Sequence, residues 1–213
     1  MSDTIVAIIE GVLWTVALTL VTFILGAILG LPLCAMRLSK WYPVRAIATW
    51  IVVICRSIPP IVWLFFVFFG IGNDLFSMSP FVAAALGLGV VTAANMSEVY
   101  RGALTAIHPG QFEAARVLNL SRIQQLRDVV FPQLIRIALS TGATYLIGLL
   151  KDSAVASTIG VSELAFQAYH VSQQTFQGLS VYGAAALLYI ALSLPIAWLS
   201  RWADLRLRSR VSR

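Results

Sequence analysis

Four ionisable residues stand inside or at the margins of long apolar runs: Arg56, Glu98, Lys151 and Asp152. A charge near a bilayer centre costs at least about 2.5–3.5 kcal/mol on insertion scales, so such a residue persists when it is paired, faces water or serves a function. Lys151 and Asp152 supply one cation and one anion, the complement of a zwitterion. Chain neighbours do not point the same way on a regular helix. Holding a zwitterion between them therefore requires a broken helix or a cleft between helices; otherwise they pair with Glu98 or Arg56 and brace a bundle. Thr92, Asn95 and Glu98 recur at spacings of three along one slowly drifting helical stripe. Gly87 and Gly89 beside them would let a neighbouring helix approach. Pairing of Glu98 with Arg101 at the membrane surface is the plainer alternative. Arg56 precedes Pro59-Pro60 and could satisfy carbonyls freed by a proline break, a structural or gating role. His108 and His170 are isolated and neither is assigned a metal. Cys34 and Cys55 sit in apolar stretches with no metal spacing. No Walker A pattern, phosphate-cradling loop or catalytic triad is present, so the chain is not expected to hydrolyse ATP by itself.

The elements that position these groups are membrane spans. The 213 residues are 59% hydrophobic and only 11% charged, against about 25% charged in an ordinary soluble domain. A helix needs about 20 apolar residues to cross a bilayer. Trp14 to Cys34 qualifies, and no basic residue precedes it as one would in a signal peptide. Ile47 to Phe69 is interrupted by Arg56 and the two prolines, Pro80 to Ser97 ends at Glu98, and Val181 to Ser200 is clean. Between Arg136 and Lys151 the 14 uncharged residues give only about 21 Å of helix. Either Arg136 snorkels outward, or Lys151 and Asp152 lie within the membrane. Apolar residues resume at Ala154, which favours the second. A short hydrophobic segment broken by polar residues is the pattern expected where a transporter holds its solute.

Apart from Arg56 and Lys151, the basic residues behind the formal charge of +6 lie in three places: Arg37 to Arg45, Arg101 to Arg136, and Arg201 to Arg213. The N-terminal tail with Asp3, the loop with Asn73 and Asp74, and the stretch after Lys151 contain no arginine. Basic loops face the cytoplasm, so the N-terminus is expected outside and the C-terminus inside. Spread over three membrane-flanking segments, this charge does not read as a nucleic-acid patch. The expectation is one all-α transmembrane domain over 1–213, with spans near 12–36, 47–70, 80–98, 134–152 and 180–200 and a cytoplasmic segment at 101–132.

That segment contains a turn at Pro109-Gly110, an apolar stripe of Phe112, Ala115, Leu118 and Leu120, and a second helix capped by Ser121 that Pro132 would end or kink. Glu113, Arg116, Arg122 and Arg127 would lie on its wet faces. An apolar stripe with no lipid to bury in needs a groove on a partner; a solvated connector is the alternative.

Glu113-Ala114-Ala115, followed by Val129-x-Phe131-Pro132, resembles the EAA loop of ATP-binding-cassette importer permeases. Asn119 replaces the usual Gly, Val129 the Ile and Phe131 the Leu; Asn tolerates a left-handed turn next best after Gly. Arg56-Ser57-Ile58-Pro59-Pro60 with Leu64-Phe65-Phe66, Ser97-Glu98-Val99-Tyr100-Arg101-Gly102, and Leu150-Lys151-Asp152-Ser153 with Ile159-Gly160-Val161 are similar to the polar amino-acid subfamily. In order, these motifs cover roughly residues 12–200. The resemblance implies a type I ABC importer (MetI-like) permease fold in the bacterial inner membrane. It implies a permease homodimer or paralogous heterodimer, an ATPase dimer that holds ATP and Mg, an extracytoplasmic solute-binding protein and an amino-acid-like solute, with no nucleic acid. It assigns the solute to Asn95, Glu98, Lys151 and Asp152, and ATPase docking to Glu113, Ala114, Ala115, Asn119 and Pro132. Arg56, Pro59 and Pro60 remain structural or gating. Two other classes fit the bare residues: an ion-gradient-driven transporter or channel, and a membrane anchor for a cytoplasmic enzyme.

Overall fold

The computed structural model describes residues 2–211, with side chains for 8–72 and 77–206. The side chains of Asp3, Asn73, Asp74, Arg208, Arg210 and Arg213, used above for orientation, lie outside the described residues. The described chain is helical almost throughout: α1 (Ser2–Arg37), α2 (Tyr42–Ser57), α3 (Pro60–Phe65, continued in π geometry over Phe66–Phe76), α4 (Pro80–Thr105), α5 (Pro109–Val117), α6 (Arg122–Gln124, then a π stretch Gln125–Val130), α7 (Phe131–Asp152, then 3₁₀ over Ser153–Ile159), α8 (Leu164–Thr175) and α9 (Gly178–Val211).

Prolines and small polar caps punctuate this series. α2 stops at Ser57 because Pro59-Pro60 disfavours helical backbone before it, and the chain restarts in α3 at 100° to α2. Ser79 caps α4, accepting from the Val82 N–H at 3.4 Å with Pro80 in the first turn. His108 caps α5 through Nδ1, which accepts from the Gly110 N–H at 3.1 Å. Ser121 and Gln124 form the reciprocal capping box that opens α6. At Pro132, where the sequence suggests an end or a kink, the helix does not end. The preceding turns widen to π geometry, which absorbs its missing N–H, and the chain runs on helically from Arg122 to Ile159.

Among the described residues four helices are long and apolar enough to cross a membrane, and a fifth crossing arises if the bent pair Tyr42–Ser57 and Pro60–Gly72 counts as one. α1 and α4 form the closest seam. A Cβ on Gly26 would lie 2.3 Å from Thr92 Cγ2, and one on Gly30 would lie 2.9 Å from Met96 Cβ. On the other side of α4, a Cβ on Gly87 would meet the Leu64 backbone at 2.9 Å. Lipid offers apolar groups no reason to leave it, so close backbone approach of this kind is what holds such helices together. One buried cluster joins Leu18, Leu64, Leu88 and Ile159 across α1, α3, α4 and the 3₁₀ segment. A second joins Ile8, Leu164, Val171 and Val181 across α1, α8 and α9. Buried Glu163 ties that second cluster: it accepts from the Phe166 N–H at 2.7 Å and from the Tyr189 hydroxyl at 2.9 Å, while Thr15 Oγ1 accepts from the Leu164 N–H at 3.0 Å. Leu13, Ile28, Leu187, Leu194 and Trp198 point outward, as does much of the aromatic run at Phe66 and Phe69.

Candidate solute cleft and connecting helix pair

An open cleft of about 760 Å³ lies between α2, α4 and α7. It brings Arg56, Asn95, Glu98 and Asp152 to one wall system, although α2, α4 and α7 are far apart in sequence. Lys151 is not on that wall; one residue from Asp152, it is turned away and exposed. Thr92 is buried behind the cleft, its hydroxyl donating to the Leu88 carbonyl at 2.8 Å.

Glu98 is the electrostatic centre. Arg37, at the end of α1, places Nη1 2.7 Å from one carboxylate oxygen, and Arg101 puts Nη2 2.8 Å and Nε 3.0 Å from the other. Arg56 Nη1 stands farther off, at 3.8 Å. Glu98 is therefore already claimed by two guanidinium groups, the pairing with Arg101 among them. Arg37 is only 10% exposed, so its pairing with Glu98 is also what makes its burial tolerable.

Arg56 reaches α4 rather than the carbonyls at the proline break: Nε donates to Asn95 Oδ1 at 3.1 Å. Asn95 Nδ2 donates to the Val91 carbonyl at 2.9 Å and approaches Tyr145 Oη at 3.5 Å, and Tyr145 donates to Thr92 Oγ1 at 3.2 Å. A continuous chain of polar groups thus runs from α2 through α4 to α7. Sequence reading missed Tyr145 and the hydroxyls Ser140, Thr141 and Thr144 that line the cleft with it. Their signal was present: Ser140, Thr141, Thr144, Gly148 and Asp152 recur at helical spacing along one face of α7. Asp152 closes that face at the last turn, and its carboxylate has no ion pair or hydrogen bond among the described residues.

The predicted docking residues fall on a separate part of the molecule. Glu113 and Ala114 are exposed on α5, whereas Ala115 is 2% exposed and faces inward. Asn119 has φ 55°, the left-handed conformation expected of it. The Leu120 N–H donates to the Ala115 carbonyl and the Asn119 N–H to the Arg116 carbonyl, both at 3.0 Å, which is a Schellman ending. That turn corrects the predicted stripe. Leu118, the C-cap, keeps a helical N–H bond to the Ala114 carbonyl at 3.0 Å, and Asn119 is the residue that leaves the helix, so the stripe breaks before Leu120; Leu118 itself is exposed while Ala115 is buried. The exposed apolar groups are instead Val117 (86%), Leu118 (71%), Ile123 and Leu126. Arg116, Arg122 and Arg127 surround them in solvent-exposed positions. Pro132 lies in the first turn of α7. Farther along α7, Arg136 Nε pairs with Asp204 of α9 at 3.4 Å.

Comparison with known proteins matches this architecture. The chain is 34% identical to the "Probable amino-acid ABC transporter permease protein YckA" of Bacillus subtilis, over 87% of this chain and 82% of that protein. A solved structure described as an amino acid ABC transporter with histidines superposes with a TM-score of 0.89 at 28% identity, covering 97% of this chain and 96% of the other. An inward-facing MetNI methionine ABC transporter structure has a TM-score of 0.76 at 22% identity, covering 97% and 99%, and shows the shared type I importer permease fold. Residues 22–209 match the family described as "Binding-protein-dependent transport system inner membrane component". The chain belongs to that family: it is an inner-membrane permease subunit of a binding-protein-dependent transport system.

Proposed function

We propose that this permease carries polar amino acids or closely related solutes into the cytoplasm, driven by ATP hydrolysis on separate ATPase subunits that hold ATP and Mg. The observation that carries the reading is the cleft between α2, α4 and α7, where a guanidinium, an amide and a carboxylate converge on a space large enough for an amino acid. The similarity to amino-acid permeases supports the same solute class. The N-terminus lies outside and the C-terminus inside, as the basic segments require. The bent pair α2–α3 makes one crossing, giving five spans near 12–36, 47–70, 80–98, 134–152 and 180–200 within one domain.

Asn95, Glu98 and Asp152 line the solute pathway, with Arg37 and Arg101 holding Glu98 in place. On the cytoplasmic side the helix pair over 109–130 docks into a groove of the ATPase through Glu113, Ala114 and the exposed apolar groups around Asn119. Ala115 supports the pair from within, and Pro132 sets where it joins α7. Closure of the ATPases on ATP moves the docked pairs and rocks two permease subunits, a homodimer or a paralogous heterodimer, so that access switches from the extracytoplasmic binding protein to the cytoplasm.

The test is uptake of labelled amino acids into proteoliposomes that contain the permease with its cognate ATPase and binding protein. Uptake is expected with ATP and binding protein together, and absent without either. Accumulation driven by a proton or sodium gradient alone would replace this reading with a secondary transporter.

A further inference from the structure

We infer that Arg56, and not Lys151, is the group that takes the carboxylate of the solute. The inference rests on the reading of the cleft as an amino-acid pathway and names which cation acts there. Three observations converge. Arg56 lines the cleft and Lys151 does not. The two nearest guanidiniums, Arg37 and Arg101, are committed to the two oxygens of Glu98 at 2.7 and 2.8 Å. Arg56 is 47% exposed, and its only hydrogen bond among the described residues is from Nε to Asn95. That bond fixes the plane of the guanidinium from behind and leaves the two Nη nitrogens directed away from it. The nearest carboxylate oxygen to them is 3.8 Å away, beyond hydrogen-bonding distance.

A guanidinium held by Nε, with no hydrogen bond on its terminal nitrogens and only a long 3.8 Å ion pair from Nη1 to Glu98, is a fork shaped for a carboxylate, which it grips through two parallel N–H···O bonds. Lysine presents a point charge with no such plane. Asp152, unpaired at the far end of the same cleft, faces the cationic part of the solute. The Asn95–Tyr145–Thr92 chain then has a second purpose: it locks the amide that holds Arg56, so the fork is set before solute arrives. The ligand class is an α-amino acid with a free carboxylate, and the corresponding α-carboxamide is rejected because it cannot accept two charge-assisted bonds from one guanidinium.

The test uses the permease assembled with its ATPase in nanodiscs without the binding protein, whose own selectivity would otherwise mask the effect. Binding of L-arginine, L-glutamine and L-glutamate and of their α-carboxamides is measured by saturation-transfer NMR. At least one acid should bind the wild type more tightly than its amide. Arg56→Gln should weaken that acid about tenfold or more, the loss of one charged hydrogen-bonded contact, and erase the preference over the amide. Arg56→Lys, which keeps the charge but not the fork, should retain an intermediate preference. Lys151→Gln should leave the preference for acid over amide in place. A merely structural Arg56 would weaken acid and amide alike. The inference is overturned if Arg56→Gln keeps the acid-over-amide preference, if Lys151→Gln removes it, or if the wild type binds none of the acids. Should Arg56→Gln fail to fold, an Arg56→Lys protein with full wild-type preference overturns it as well. ATP-driven uptake by the wild type, measured separately, shows whether the amino-acid reading itself stands.

Discussion

The charged cluster around Glu98 and the helix pair over 109–130 solve opposite problems. The first buries charge and accounts for nearly all of it internally: Glu98 meets Arg37 and Arg101, Asn95 meets Arg56 and Tyr145, and Tyr145 meets Thr92. The second leaves Val117, Leu118, Ile123 and Leu126 in the open although α5 and α6 are well capped. A region whose backbone is finished and whose apolar side chains are not covered is complete as a shape and incomplete as a surface. The cluster is satisfied within the chain; the helix pair is the surface proposed to meet the ATPase.

Substitutions at three positions separate these roles. The largest effect is expected at the helix pair. Glu113→Lys, at an exposed position, should abolish solute-stimulated ATPase activity of the assembled complex while leaving the unfolding midpoint of the isolated chain unchanged. Full stimulation would show that the pair is only a connector. Next comes Glu98→Leu, which strands Arg37 in its buried position and should cost about 3–5 kcal/mol of stability, read as unfolding of the detergent-solubilised chain in denaturant. A shift below about 1 kcal/mol, the worth of an exposed pair, would mean the cluster is far wetter than its burial indicates. The smallest is Asn119→Val, a branched residue at φ 55°, expected to cost about 1–2 kcal/mol. Asn119→Gly should cost nothing. Faster hydrogen exchange at the Asn119 and Leu120 amides in the valine variant alone would locate the loss in the turn; equal exchange in all three proteins would remove the strain argument.

Legibility from sequence followed the same division. The helix pair could be read because its signals are local. Pro109-Gly110, Ser121 and Asn119 each act on backbone within a few residues: the structure shows the cap at Ser121 and the left-handed residue at Asn119, while Pro109-Gly110, read as a turn, instead forms the first turn of α5. Also misplaced there is the far end of the stripe, Leu120, because a helical period was carried past the left-handed turn at Asn119. The cleft was legible only in pieces. Arg37 read as a membrane-flanking charge, since nothing local links it to Glu98, 61 positions on. Lys151 and Asp152 read as a pair because they are adjacent, yet adjacency on a helix turns them to different faces, and only Asp152 reaches the cleft. The hydroxyl face of α7 was visible in principle and lost in a run that otherwise reads as apolar. α8 went unassigned although its start is signalled locally, where Glu163 caps it by accepting from the Phe166 N–H.

The seam between α1 and α4 has a kinetic corollary. With Thr92 lodged where a side chain on Gly26 would be, and Met96 likewise at Gly30, neither helix has room to slide or roll against the other. The two are packed as a single plank that bears Arg37 and Glu98, 2.7 Å apart. A pivot during a transport cycle is then expected away from this seam, and the 100° elbow between Ser57 and Pro60 is the place proposed for it.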